Sequence, residues 1–308
     1  MADTDPYLSL VTPVHNGAAF IEENVRVILS ALEKLRRSFE VIIVCDGSTD
    51  GSAGRAISIA DPRLRVLRYD EHQGKGVAVT CGLAHARGRL VGWLDSDLDI
   101  HPNVIVNAAR RFERAHEVDA VIGSKRHPES VVYYPRIRRI YSWGFQLLVR
   151  ALFRINVRDT QVGAKLFRRE MLDTVVPLLL VKRYAYDLEL LAVGAEFGFD
   201  RVEEIPIRLG YRFSGSGIGS AAVRRMLIDT LAIAYRIHIR HWYVRRYSAL
   251  QRARKDAAAQ QEVLEEDRIL PPVVAIDLAR PEPREEAGVR ARPSPFRRVA
   301  LGRTRGER

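Results

Sequence analysis

Five consecutive apolar residues, Val41-Ile42-Ile43-Val44-Cys45, run directly into Asp46-Gly47-Ser48-Thr49-Asp50-Gly51-Ser52. A strand apolar at successive positions offers no face to water. It therefore belongs inside a sheet covered on both sides, as in parallel α/β folds. The neighbouring segments fit that frame. Leu8-Ser9-Leu10-Val11-Thr12-Pro13-Val14 reads as a strand closed by His15-Asn16-Gly17, and residues 18–37 carry a helical apolar period. Strands follow at 64–69, 90–94 and 118–123, with a helix at 76–86 between the first two. This β-α-β-α alternation predicts an α/β fold with an open, mostly parallel sheet and a ligand crevice outside the strands' carboxyl ends.

Three polar loops fall at those ends, at residues 13–16, 46–50 and 95–99. In the third, Asp95, Asp97 and Asp99 alternate, and alternate positions of an extended backbone face one way. Three converging carboxylates need a cation, and oxygen ligands without His or Cys suit Mg²⁺ or Mn²⁺. The competing reading is an acidic loop before a helix that starts at Pro102. Asp46 is placed to accept hydrogen bonds from a base or ribose, or else serves only the turn. Gln73-Gly74-Lys75-Gly76 opens a helix, a setting that suits a phosphate or a base edge, although Walker spacing is absent.

The formal charge of +11 over 308 residues points to an anionic partner. Its distribution is more telling than its size. Lys125, Arg126, Arg136, Arg138, Arg139, Arg150, Arg154 and Arg158 face one acid, Glu129, and a second cluster holds Arg224, Arg225, Arg236, Arg240, Arg245 and Arg246. Large apolar residues interleave both clusters, which favours a membrane surface over nucleic acid. Residues 140–153 read as an amphipathic helix, as do 226–244. Asp229, Arg236 and Arg240 make the second a poor spanning segment; it either lies in an interface or packs on the domain. No apolar run reaches the ~18–20 residues needed to span a bilayer. Cys45 and Cys81 read as reduced core thiols, and residues 1–6 lack a secretory signal. The expectation is a cytoplasmic chain, peripheral on the inner face of a membrane. Residues 1–220 would form the catalytic domain, 221–250 an amphipathic surface helix, and 251–308 a charged, largely disordered tail.

With these motifs in order, residues 8–247 resemble the family 2 glycosyltransferases that load sugars onto polyprenyl phosphates, of the dolichyl-phosphate mannose synthase and glucosyltransferase types. The ordered set comprises Pro13-Val14-His15-Asn16, Asp46 to Ser52, Gly74-Lys75-Gly76, Asp95-Ser96-Asp97-Leu98-Asp99 and Gly123-Ser124-Lys125. It continues with Asp159-Thr160-Gln161 and Gly163, Tyr186-Asp187-Leu188-Glu189, and Glu204-Ile205-Pro206-Ile207. The resemblance implies the A-type glycosyltransferase fold with C-terminal amphipathic interfacial helices. It also implies roles. Pro13, His15, Asn16 and Asp46 would hold the nucleotide, with Lys75 and Asp95 close by. Asp95, Asp97 and Asp99 would serve Mg²⁺ or Mn²⁺. Asp97, Asp159, Gln161 and Asp187 would form the catalytic and donor-sugar pocket. Arg138, Ser142 and Arg212 would take the acceptor phosphate. Cys45 stands where the family usually has an acid, His15 where tyrosine is common, and no lysine follows near Ser216.

The implied reaction is inverting transfer of glucose or mannose from UDP-glucose or GDP-mannose to a polyprenyl or dolichyl phosphate. The acceptor phosphate is already ionised, so no strong base is required. A membrane-anchoring protein partner is compatible with this reading, and nucleic acid is not expected. Two alternatives stand beside it: a transferase of the same fold acting on a soluble or protein acceptor, and an inert membrane-binding module that keeps a nucleotide pocket.

Overall fold

The computed structural model describes residues 5–132, 136–153, 155–182, 185–209, 220–260 and 274–277. The chain begins with β1 (Leu8–Val14), α1 (Ile21–Glu33), β2 (Phe39–Asp46), α2 (Ser52–Ile57), β3 (Leu64–Tyr69) and α3 (Lys75–His85). β4 (Leu90–Leu94), α4 (Asn103–Arg114), β5 (Ala120–Ser124), α5 (Arg136–Leu152), β6 (Ala164–Arg168) and α6 (Arg169–Val175) follow. Last come α7 (Tyr186–Glu196), β7 (Val202–Pro206), α8 (Ser220–Ala234), α9 (Trp242–Gln260) and β8 (Val274–Asp277).

The strands form one sheet in the order β7-β5-β6-β4-β1-β2-β3-β8. β1 lies between β2 and β4, parallel to both, and β3 continues parallel on β2. β6 enters antiparallel between β4 and β5. The expected alternation holds, and the buried β2 run explains it. Val41, Ile43 and Cys45 pack with Leu10, Ile28 and Ile105 on the α1 and α4 side. Ile42 and Val44 pack with Val11, Trp93 and Leu191 on the other. Successive strand side chains point to opposite faces, so an unbroken apolar run supplies both cores at once.

One acid stands at the head of that run. Glu40 is 3% exposed and accepts from Ser9 Oγ at 2.6 Å, the Arg87 amide at 2.8 Å, and the Arg65 and Arg87 guanidinium groups at 3.1 Å each. Burial opposes its charge, but these bonds outweigh burial and hold its carboxyl below the usual glutamate range.

The C-terminal region departs from the sequence reading in two ways. A single helix was expected over 226–244. Instead α8 passes into a π-helical turn, Tyr235–Ile239, and the chain breaks at His241, whose φ is 45°. α9 then starts as a separate helix at Trp242. The apolar period runs through the break because both pieces pack on the domain, with Ile233, Ile237 and Tyr243 buried in its core. The tail was read as largely disordered, yet its residues Val274–Asp277 pair antiparallel with β3. They supply backbone partners to an edge that would otherwise lie open. Among the described residues no helix is long and apolar enough to cross a membrane.

Candidate active site

β4 delivers Asp95 to the carboxyl end of the sheet, where its amide donates to the Gly163 carbonyl at 3.0 Å. A Cβ at Gly163 would push the Asp95 carboxylate out of its place. The chain then turns at Ser96 and Asp97, fixed by Asn24 Nδ2 donating to the Ser96 carbonyl at 2.7 Å. Leu98 is left-handed, with φ 53°. The backbone is therefore not extended, and the expected alignment of Asp95, Asp97 and Asp99 on one face does not form. Among the described residues no three His, Cys, Asp or Glu side chains stand together as a ready-made metal cage. The Asp99 amide instead donates to Asp97 Oδ1 at 3.2 Å and braces it.

The electrostatics nevertheless suit a cation. Asp97 opens to solvent, but the surrounding protein crowds out part of its hydration. That loss, followed by the charge of Asp95, pushes its carboxyl above the usual aspartate range. Excess negative charge with oxygen donors fits a hard divalent ion, which takes one or two carboxylates and completes its shell from substrate phosphates. Lys75, the first residue of α3, lies 2.5 Å from Asp95 Oδ1. Burial works against its charge, yet Asp95, then Asp187 and Asp97, hold its ammonium above the usual lysine range.

At the neighbouring strand ends, Asp46 is 2% exposed. Its carboxylate accepts from the Gln73 amide at 2.7 Å and the Gly74 amide at 3.0 Å, and pairs with His72 Nδ1 at 3.0 Å. The sequence reading turned Asp46 toward the nucleotide. The structure engages it in shaping the turn that presents Lys75. Gly47 (φ +57°) allows this, since its α-carbon faces the Glu71 and His72 backbone with no room for a side chain. His15 Nδ1 donates to the Asp46 carbonyl at 2.6 Å, and the His15 and His72 rings lie 4.0 Å apart. Asn16 Oδ1 accepts from the Thr49 amide at 2.9 Å. Pro13 is buried within β1, beside Val44.

The third wall comes from the segment before β6 and the start of α7. Asp159 accepts from the Lys125 amide at 3.2 Å, and the Lys125 ammonium stands 3.7 Å away. Its own amide donates to Glu204 at 3.0 Å, so β7 fixes the segment. Asp187 pairs with Lys165 at 2.5 Å. Lys165 has no exposed surface and lies 5.0 Å over the Trp93 ring. Burial opposes both charges, pushing Asp187 up and pulling Lys165 down, and each partner offsets part of that effect on the other. Lys75 feels Asp95, Asp187 and Asp97, and Lys165 feels Asp187, Lys75 and Asp159. The structure thus gathers Asp95, Asp97, Asp159, Asp187 and Lys75 into one field. Lys165, His72 and Glu204 belong to the same surroundings and had no assigned role. The signal for Lys165 was a charge set inside the strand Ala164-Lys165-Leu166-Phe167, where it needs a buried partner.

Gln161 Nε2 lies 3.0 Å from the Met226 sulfur, which joins this pocket to α8. Beyond Met226, Ile228, Leu231, Tyr235 and Ile239 are more than half exposed. Glu189, two residues past Asp187, holds the same region. It accepts from Tyr243 at 2.6 Å, from Arg236 at 3.1 Å, and from the amides of Leu180 and Val181 at 2.9 and 2.8 Å. The side chains of Arg138 and Ser142, and all of Arg212, lie outside the described residues.

Carboxylates gathered at the carboxyl ends of a mostly parallel sheet, where open α/β folds bind their ligands, mark an α/β protein with a candidate ligand site at its strand ends. The solved structures with the same fold include glucosyl-3-phosphoglycerate synthase from Mycobacterium tuberculosis in complex with Mn²⁺, UDP and phosphoglyceric acid. It is 22% identical, with a TM-score of 0.59 over 74% of this chain and 78% of that one. Residues 9–176, more than half of the chain, match the family described as Glycosyl transferase family 2, and the chain belongs to that family. The glycosyltransferase AglD of Haloferax volcanii is 33% identical over 65% of this chain, which spans 32% of AglD. The dolichyl-phosphate beta-glucosyltransferase of Saccharomyces cerevisiae is 29% identical over 67% of each chain. Its human counterpart is 30% identical over 62% of this chain and 63% of its own length. The family resemblance read from the motifs is borne out.

Proposed function

We propose that the protein transfers a hexose, glucose in the first instance, from UDP-glucose to a polyprenyl or dolichyl phosphate at a membrane surface. The relatives' names support glucose as the sugar and a dolichyl phosphate as the acceptor class, and the UDP bound by the structural neighbour supports the nucleotide. The observation that carries the lipid acceptor is the contact of pocket residue Gln161 with Met226. On the next turns of that helix Ile228 and Leu231 are exposed. A lipid lying along the helix would bring its phosphate toward the pocket.

In this reading the nucleotide lies across the ends of β1 and β2, with His15, His72 and Asn16 at its base and ribose. Lys75 meets the donor diphosphate when it exchanges Asp95 for phosphate. Asp95 and Asp97 would hold Mg²⁺ or Mn²⁺. A bound divalent ion supplies charge neutralisation for the departing diphosphate. Asp159, Gln161 and Asp187 orient the sugar hydroxyls, and Lys165 keeps the Asp187 carboxylate in place. The ionised acceptor phosphate attacks without a protein base, consistent with the absence of a base motif in the sequence. Arg138, Ser142 and Arg212 remain the residues proposed to receive it. The apolar face and the basic helices would hold the enzyme peripherally on the cytoplasmic side of the membrane, with or without an anchoring protein.

The test is transfer to a short-chain polyprenyl phosphate, offering UDP-glucose and GDP-mannose separately with Mg²⁺ or Mn²⁺, and EDTA as control. Metal-dependent glucosyl product is expected. Mannosyl product would correct the donor. Nucleotide-sugar binding without transfer to any lipid phosphate would overturn the acceptor.

A further inference from the structure

A second basic site lies outside the donor crevice. Arg126, Arg150 and Arg158, with Trp143, Gln146 and Leu147, line a groove of about 270 Å³, and among the described residues no carboxylate lines it. Its two walls are fastened together, because buried Gln146 on α5 donates to the Val157 carbonyl beside Arg158. Trp143 and Leu147 are 71% and 67% exposed. The groove borders the wall of the sugar pocket. Lys125 and Asp159 pair with each other there, while Arg126 and Arg158, the next residue of one segment and the preceding one of the other, line the groove. Glu204 reaches Arg158 Nε at 3.8 Å.

We infer that this groove binds the phosphate headgroup of an anionic membrane phospholipid, a contact separate from that of the acceptor lipid. Guanidinium groups recognise phosphate oxygens in a planar, bidentate geometry. A tryptophan and a leucine beside them suit the level where headgroup meets acyl chain. The groove also adjoins the apolar face described above. His238 Nε2 lies 2.7 Å from the Leu152 carbonyl at the end of α5, and the His238 ring packs near Phe153. Charge and apolar surface are therefore offered side by side. A phospholipid satisfies both at once, whereas a free phosphate would satisfy the arginines alone. The inference rests on the membrane reading of the preceding section.

The test is flotation of the full chain with phosphatidylcholine vesicles, with and without phosphatidylglycerol. The wild type is compared with Arg126→Gln/Arg150→Gln and with Arg126→Lys/Arg150→Lys as the charge-preserving control. Transfer to a short, water-soluble acceptor phosphate is measured without vesicles. The expected result is a wild-type preference for phosphatidylglycerol and a roughly 25-fold weaker partition of the glutamine pair to those vesicles. The lysine pair should fall well below the wild type, because an ammonium keeps the charge but not the planar fork, and soluble transfer should be unchanged throughout. An undiminished preference in the glutamine pair would overturn the inference. Loss of soluble transfer in that pair would also overturn it, by assigning the arginines to the acceptor. Wild-type binding without preference for phosphatidylglycerol would remove the headgroup site and leave the membrane reading standing. No vesicle binding of any kind would remove both.

Discussion

Lys165 and Asp187 meet at 2.5 Å with almost no exposed surface between them. A buried pair of this kind is expensive to break and cheap to replace as a whole. Lys165→Met should therefore cost about 3–5 kcal/mol in urea unfolding by leaving Asp187 unpaired. Lys165→Met/Asp187→Leu should recover most of that loss while transfer stays abolished. Recovery of both would remove Asp187 from the sugar pocket. Asp97 makes a different demand. Its carboxyl titrates above the usual range, and only the ionised form can hold a cation. Donor binding should fail on the acid side as the pH falls through this raised value, earlier than for an ordinary aspartate near about 3.9. Asp97→Ala should lower transfer at least about a hundredfold, with an unchanged circular-dichroism melting curve. An active variant would remove Asp97 from the cation site. Neither the Lys165 partner nor the turn at Asp97 was legible in the chain. A lysine set inside an apolar strand calls for a buried partner without naming it, and a left-handed leucine leaves no mark in an acidic run.

The elements themselves were far easier to read. β1, β3 and β4 lie where their apolar runs predict, because buried strands and polar loops contrast sharply in composition. β6 gave less warning, since five residues that enter antiparallel look the same as five that enter parallel; direction is decided by where the connection can close. The break at His241 was hidden because the apolar period continues across it. Asp46 was expected at the nucleotide, whereas its carboxylate is engaged by amides from a distant turn, a partnership no local pattern announces. The β2 acid Glu40 shows how an element can set pH behaviour. Its folded carboxyl is held below the unfolded value, so its stabilisation is present above about 4.3 and is lost as the pH falls toward the folded value. Glu40→Gln should flatten the loss of stability below about pH 4.3 and lower stability at neutral pH by about 1–3 kcal/mol. Chemical denaturation across that pH range measures both effects. An unchanged acid limb would assign it to other carboxylates.

At the scale of the whole molecule, charge and apolar surface occur together. Ile228, Leu231, Tyr235 and Ile239 are exposed on the C-terminal helices, and the arginines of 224–246 interleave them in sequence. Leu231→Asp/Ile239→Asp should leave stability within about 0.5 kcal/mol, because neither side chain fills the core. The same variant should lower partition to vesicles by at least tenfold, following the apolar area withdrawn from the interface. Unchanged vesicle binding would show that the helices serve another surface. Glu189 ties those helices to the body of the protein through Arg236 and Tyr243, and gathers the Leu180 and Val181 amides on its other oxygen. A terminal segment fastened in this way does not fray on its own. Amide hydrogens of the first turns of α9 should therefore exchange at the rate of global opening, together with those of α7, and the C-terminal helices should unfold within the same cooperative unit as the sheet.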